Sequence, residues 1–321
     1  MVFVSTMTPA SIISGYRAER DEDGNLHDPS LLAMIDGKVL VIKDFTAVLT
    51  LPREACLTVI GMLRDAYDGE CSRQVGNLGL VSYKARFSIL AACTNIYEHF
   101  YSVNQQLGER FVLFRLSAGD SAASVERSLD NMTAGDETRQ AAESAMVTML
   151  EELWVPPQAD VVLPDELAAH LIKLATLAAR FRTHVHRDGR TNEPTHQVQV
   201  ETGARLVRQL ALVAKGRAVV KGRLTVRPSD MRLVKRIARD TLPSNSARIL
   251  QLLYQAGSGG DSPQSREIKT RDIASRLGMY HGSCRDTCND LEVLGGVAKV
   301  GRLAVRMTDE LFAEIKETGL W

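Results

Sequence analysis

The sequence predicts an α/β segment over residues 1–118, an all-helical segment over 119–243, and a C-terminal segment of three helices and a hairpin over 244–321. Three observations carry this reading. Residues 1–118 alternate short apolar runs with helical stretches. After "SAGDSAA" the apolar residues recur at helical spacing. Near the C-terminus, "VAKV" and "LAVR" flank the turn dipeptide Gly301-Arg302. With 321 residues and 45% hydrophobic composition, the chain can bury a substantial core in two or three domains.

In the first segment, "KVLVIKDF" reads as a buried parallel strand. "REACLTVIGMLRDAYDG" places Ala55, Val59, Ile60, Leu63 and Ala66 on one helical face and stops at Gly69. "FSILAACTN" is a second buried strand with polar residues at its end, and "ERFVLFRLS" reads as a third. Polar ends of buried strands are where α/β sheets keep their sites. Between the helix and the second strand, Gly76 and Gly79 flank a turn in a stretch that also carries Arg73, Lys84 and Arg86.

The helical segment predicts helices over 125–132, 138–153 and 165–181, with Pro156, Pro157 and Pro164 breaking between them. "HVHRDGRTNEPTH" is a polar loop. "TGARLVRQLALVAKGRAVV" and "PSDMRLVKRIARDTLP" are basic amphipathic helices. In the last segment, "SNSARILQLLYQAG" and "KTRDIASRLGM" are helices, and "HGSCRDTCNDLEVLGG" is a third with Ser283 as its N-cap. The Gly-Arg pair then makes a two-residue II′ hairpin. Three helices followed by such a hairpin make a winged helix.

The 39 basic and 39 acidic residues cancel, so net charge selects no partner. Their distribution is uneven. Residues 201–243 hold eleven Lys/Arg against three Asp/Glu, whereas 1–118 hold eleven against thirteen. Five cysteines without a CxxC pair argue against a disulfide framework or zinc module and fit a reducing cytoplasm. Neither a membrane-spanning apolar run nor a signal peptide is present, so the expectation is a cytoplasmic protein without membrane contact.

A winged helix places its third helix in a major groove. Here Tyr280, His281, Ser283, Arg285 and Asp286 lead that helix, with Arg302 at the wing tip beside phosphate. Double-stranded DNA is the expected partner; the ten basic and ten acidic residues of 244–321 keep a protein partner as the alternative.

In order and in short motifs, "VLVIKDF", "FSILAACTN", "LGERF" and a basic helical lid together resemble the C-terminal part of an AAA+ ATPase. The resemblance is to the branch of the minichromosome-maintenance helicases, and to ATPases of bacterial and phage genomes that carry a winged helix. It implies ATP and Mg²⁺ as cofactors, a homo-oligomer, and a mobile-element or phage-defence setting. "VLVIKDF" becomes the Walker B strand. Either Lys43 holds the magnesium-linked position and Asp44 that of the catalytic Glu, or Asp44 is itself the metal-linked carboxylate. In both alignments one acid of the pair is missing, and a lysine beside Mg²⁺ would replace attraction with repulsion.

The same resemblance makes Thr94 and Asn95 sensor 1, with Asn95 as a helix cap the alternative. It makes Arg110 an arginine finger offered to a neighbouring subunit, with an ion pair inside its own subunit as the alternative. Arg205 is the first choice for sensor 2 and Arg208 the second, three residues apart on one helix side. The stretch carrying Gly76 and Gly79 corresponds to a pore-facing hairpin or a plain hairpin packed on the sheet.

No GxxxxGK[ST] occurs; Gly37-Lys38 is followed by Val39. Within the resemblance, the phosphate loop would precede the chain as given. A truncated product or misassigned Met1 explains this first, then a degenerate fold retained for DNA, then two halves on separate chains. His184, His186 and His196 match no zinc spacing, and Cys284 with Cys288 reads as a packing pair, so no metal is expected beyond nucleotide-bound Mg²⁺ through Asp44.

Overall fold

The computed structural model describes every residue except 16–18, 21–25, 77, 99, 101–109, 117–120, 189, 192, 196–197 and 260–266. It gives backbone alone for 19–20, 26–27 and most of 121–134. The chain is mixed α/β with small sheets and divides into two compact units, Met1–Phe111 and Val112–Trp321.

The first unit runs β1 (Val2–Val4), α1 (Pro9–Ile12), β2 (Glu19–Arg20), β3 (Leu26–His27), α2 (Leu31–Met34), β4 (Val39–Ile42), α3 (Thr46–Leu49) and α4 (Arg53–Tyr67). It continues with β5 (Glu70–Val75), β6 (Gly79–Lys84) and β7 (Ser88–Ala91). β4 is the middle strand of a parallel sheet, with Leu40 opposite Val2 on one side and Ile89 on the other. Its "VLVI" supplies β-branched residues suited to a pleated, buried surface. Leu40 and Ile42 are fully buried. α4 buries Cys56, Val59, Ile60, Leu63 and Ala66, the face its periodicity predicts with Ala55 replaced by Cys56. β5 and β6 pair as an antiparallel hairpin, with Val75 opposite Gly79 at its end.

The third strand expected at "ERFVLFRLS" does not form: residues 110–116 lie in no strand. In the second unit, the backbone groups of 113 and 115 bond to side chains instead of a sheet neighbour. Leu113 N–H donates to Thr241 Oγ1 at 3.2 Å and Arg115 N–H to Asp240 Oδ2 at 2.9 Å. The Arg115 guanidinium donates to the carbonyls of Asp240 and Leu242, both at 2.8 Å, satisfying groups that a helix C-terminus leaves open.

The second unit contains α5 (Ser121–Glu152), α6 (Asp165–Arg182), α7 (Ala204–Val220), α8 (Met231–Asp240) and α9 (Ser244–Ser258). It then has β8 (Ile268–Lys269), α10 (Thr270–Leu277), α11 (His281–Val293), β9 (Val297–Val300), β10 (Ala304–Met307) and α12 (Asp309–Thr318). The two helices expected over 125–132 and 138–153 are one, because Gly135 within the helix costs only about 1 kcal/mol and no proline interrupts. α6 starts directly after Pro164 and α10 ends at Gly278 in the left-handed region.

One apolar cluster runs from Leu171 on α6 to Leu320 beyond α12. Within it, Gly203 opens α7 at φ +71, where an added Cβ would lie 3.2 Å from the Ala175 carbonyl oxygen. Glycine thus lets α7 close on α6. Phe181 sits so tightly on Gly296 that a Cβ there would meet the ring at 2.5 Å. Ion pairs join the same elements: Lys173 to Glu317 at 2.5 Å, Arg180 to Glu314, and Arg187 to Asp290 at 2.6 Å.

Two histidines of this unit titrate low. Burial lowers His170, aided by Lys235 and Lys173 against the pull of the Thr318 carbonyl and Glu317; burial and the neighbouring His186 lower His184. The unfolded chain takes up these protons below about pH 6.5 while the folded chain resists them. Stability is therefore full above that pH and falls as pH drops toward the folded values. Thermal melts over a pH series should show this decline, and His184→Gln should flatten part of it; an unchanged slope in that variant would clear His184 of the role.

Candidate functional site

At the C-terminal edge of the parallel sheet, β4 and β7 deliver Asp44 and Thr94 side by side. The ladder continues past both strands: Ala92 N–H donates to the Ile42 carbonyl at 3.1 Å and Phe45 N–H to the Ala92 carbonyl at 2.7 Å. Asp44 Oδ1 accepts the Thr46 N–H at 3.0 Å. Thr46 Oγ1 accepts the Thr94 N–H at 3.2 Å and lies 3.3 Å from Thr94 Oγ1. Lys43, Asp44, Thr94 and Asn95 are all exposed. Lys43 Nζ points over the Phe3 ring at 5.9 Å from its centroid, on β1. Asn95 lies in a turn, its carbonyl accepting the Glu98 N–H at 3.1 Å.

Arg110 is engaged inside its own chain. Its Nη2 donates to Asp68 Oδ2 at 2.7 Å, just past the end of α4, and its side chain is only 14% exposed. The adjoining Phe111 ring lies 5.7 Å from Phe45, which brings this segment past the end of β4. The sequence reading missed Thr46, whose hydroxyl joins the two strand ends across 48 positions.

In the second unit, Arg205 and Arg208 stand on the first turns of α7. Arg205 Nη1 lies 3.8 Å from Glu201 Oε1, and Arg208 is exposed. Glu201 is held by a residue that sequence reasoning passed over: fully buried Arg182 donates to both carboxylate oxygens, at 2.8 and 2.7 Å. Such a fork-to-fork pair fixes geometry as well as charge.

The C-terminal elements assemble in the order α9, β8, α10, α11, β9, β10, with β10 pairing β8 on one side and β9 on the other. α11 begins one residue after Tyr280, which is its N-cap and 81% exposed; Ser283 lies inside the helix rather than capping it. Tyr280 is extended and its carbonyl accepts the Cys284 N–H at 3.0 Å, so the first turn closes with Ser283 already inside it, and no side-chain oxygen caps the helix. His281, Ser283 and Arg285 are exposed on α11, with Arg285 3.7 Å from Asp286. Cys284 and Cys288 turn inward and are buried; burial pushes the Cys288 thiol up to about 12.

The hairpin turn is one residue longer than the Gly-Arg reading predicts. Ala304 pairs with Val300, leaving Gly301, Arg302 and Leu303 between them. The extra residue has a cause: the Leu303 carbonyl accepts the Thr270 N–H at 2.9 Å and the Thr270 hydroxyl at 3.3 Å. The Thr270 carbonyl in turn accepts from Cys284 Sγ at 3.5 Å. Thr270 thereby joins the start of α10, the first turn of α11 and the hairpin tip, and Arg302 is exposed at that tip.

His184 and His186 meet edge to face at 4.7 Å, while His196 lies outside the described residues. Among the described residues, no group of three or more His, Cys, Asp or Glu is placed to hold a metal ion, and no helix is long and apolar enough to cross a membrane. Comparison with protein-family models and with curated proteins finds no match for this chain.

Proposed function

We propose that this chain is a DNA-associated, AAA+ ATPase-like protein whose C-terminal elements form a winged helix that binds double-stranded DNA. The observation that carries the reading is the joint exposure of Tyr280, His281, Ser283 and Arg285 on α11 with Arg302 on the hairpin tip, tied together through Thr270. The helix offers polar and aromatic groups to base edges; Arg285 and Arg302 offer charge to phosphates. Titration of duplex DNA into the full chain at several salt concentrations tests it. The expected result is weak binding that fades with salt, with Arg302→Ala removing about one unit of salt slope. Absence of binding even at low salt, with a protein recovered in pull-downs, would make the C-terminal elements a scaffold instead.

In this reading, Asp44, Thr94 and Asn95 form the remnant of a nucleotide site at the sheet edge, Lys43 weakens its hold on Mg²⁺, and Arg205 with Arg208 belongs to the lid. ATP turnover by the chain is expected to be unmeasurable, since the sequence has no loop whose N–H groups and lysine cradle the β- and γ-phosphates. Robust phosphate release that Asp44→Ala abolishes would sink this expectation. A second reading, a non-enzymatic winged-helix regulator, draws support from Arg110, whose guanidinium is committed to Asp68 of its own chain. The homo-oligomer and the mobile-element or phage-defence setting stay with the first reading.

A further inference from the structure

The second half of α5 lacks the burial that normally stabilises a helix in water. Residues 136–152 are exposed throughout, including Met146, Met149 and Leu150, and Trp154 just beyond is 65% exposed. Most helical stability in proteins comes from packing an apolar face, so such a stripe calls for a cover. Its charge is one-sided. Residues 136–152 carry Asp136, Glu137, Glu143, Glu151 and Glu152 against Arg139 alone.

The matching surface stands on α7. Arg208, Leu212, Gly216 and Val220 recur every fourth residue along one exposed ridge, followed by exposed Lys221. An added Cβ at Gly216 would meet open space, so a bulky side chain can approach the backbone there. Leu212 to Val220 spans eight residues of α7, about 12 Å, long enough to receive Met146, Met149 and Leu150, which cover about 6 Å of α5 with Trp154 just beyond the helix end. One carries acids and the other bases. Within one chain the ends of the two ridges adjoin: Met149, Leu153 and Trp154 face Val220 and Leu224 across a groove of about 670 Å³.

We propose that this groove is the centre of a two-fold interface between two copies of the chain, with the acidic α5 of each lying on the basic α7 of the other. The patch contains its own complement, the condition an isologous dimer must meet: if α5 of the first copy contacts α7 of the second, the reverse contact follows by symmetry. Apolar side chains supply the attraction, and the opposite charges fix which helix meets which. This inference does not rest on the duplex-binding reading, because α11 and the hairpin take no part in it.

Sedimentation velocity of the full chain over a concentration series tests the proposal. A monomer–dimer equilibrium is expected. Glu151→Lys with Glu152→Lys should weaken it about hundredfold by setting like charges together, and so should Arg208→Glu with Lys221→Glu. Mixing the two charge-reversed proteins should restore a dimer, since each then presents the sign its partner lacks. Leu150→Glu and Leu212→Glu provide the same readout through the apolar stripes; all six side chains are exposed or at the surface, so circular dichroism should match the parent. The proposal fails if the chain stays monomeric throughout, if only the α5 variants dissociate it, or if mixing restores nothing. Duplex titrations with the same variants keep this outcome separate from the DNA reading.

Discussion

A fragment that begins at Ser244 should not fold by itself, although it contains every element of the three-helix-and-hairpin unit. The cut strips α6 and α8 from the common core, exposing Gly296 and the apolar groups of α11 and α12 that Phe181 and its neighbours cover. It also removes Lys173, Arg180 and Arg187, leaving Glu317, Glu314 and Asp290 without those partners. Asp290 shows why that matters. Partial burial raises its carboxyl above the ordinary value even with Arg187 beside it, so losing Arg187 leaves its charge less favoured still. Losing several buried apolar contacts at about 2–5 kcal/mol each exceeds the net stability of a small domain. Circular dichroism and thermal melts of residues 244–321 against 112–321 give the comparison. A sharp, cooperative melt of the shorter piece would overturn the argument.

Replacing Arg182 by alanine should cost about 3 kcal/mol, the lower end for breaking a buried ion pair, because Glu201 keeps partial contact with water. The loss combines the vacated volume of a fully buried side chain with the stranding of Glu201. Arg205 is affected in turn, since Glu201 is the carboxylate it faces at 3.8 Å. Arg182→Lys keeps the charge without the two-pronged contact and should recover only part of the stability. Urea midpoints of the second unit measure this. A shift worth less than about 1 kcal/mol would place the pair among solvated surface contacts.

Much of the framework was legible in the sequence because its signals are local. The apolar run of β4 and the 3.6-residue spacing of α4 each point to one element. The same is true of Pro164 before α6 and Gly278 after α10. What escaped was decided by partners far along the chain. Residues 110–116 have the apolar alternation of a strand, yet Asp240 and Thr241 take the backbone N–H groups of Arg115 and Leu113 across more than a hundred positions. The hairpin register depends on Thr270, not on the Gly-Arg pair alone. Of the candidate sites, the strand-end residues Asp44 and Thr94 could be named from their polar character, but not Thr46, which connects them. Arg182 could have been noticed, standing four and seven positions after Ala178 and Ala175 on the buried stripe of α6. A charged residue there requires a partner.

The Thr270 junction bears on how binding would be felt energetically. A hairpin tip that swings freely must be immobilised when it meets a ligand, and side-chain and loop ordering subtracts about 0.5–1.5 kcal/mol for each mobile group. Here the Leu303 carbonyl is already held twice by Thr270, and Thr270 holds the first turn of α11 through Cys284. Tip and helix therefore form a caliper of fixed gauge. A surface whose contact points match that spacing is met with little backbone entropy left to lose, the cost falling on exposed side chains such as Arg302, and one that does not match gains nothing from the tip's flexing.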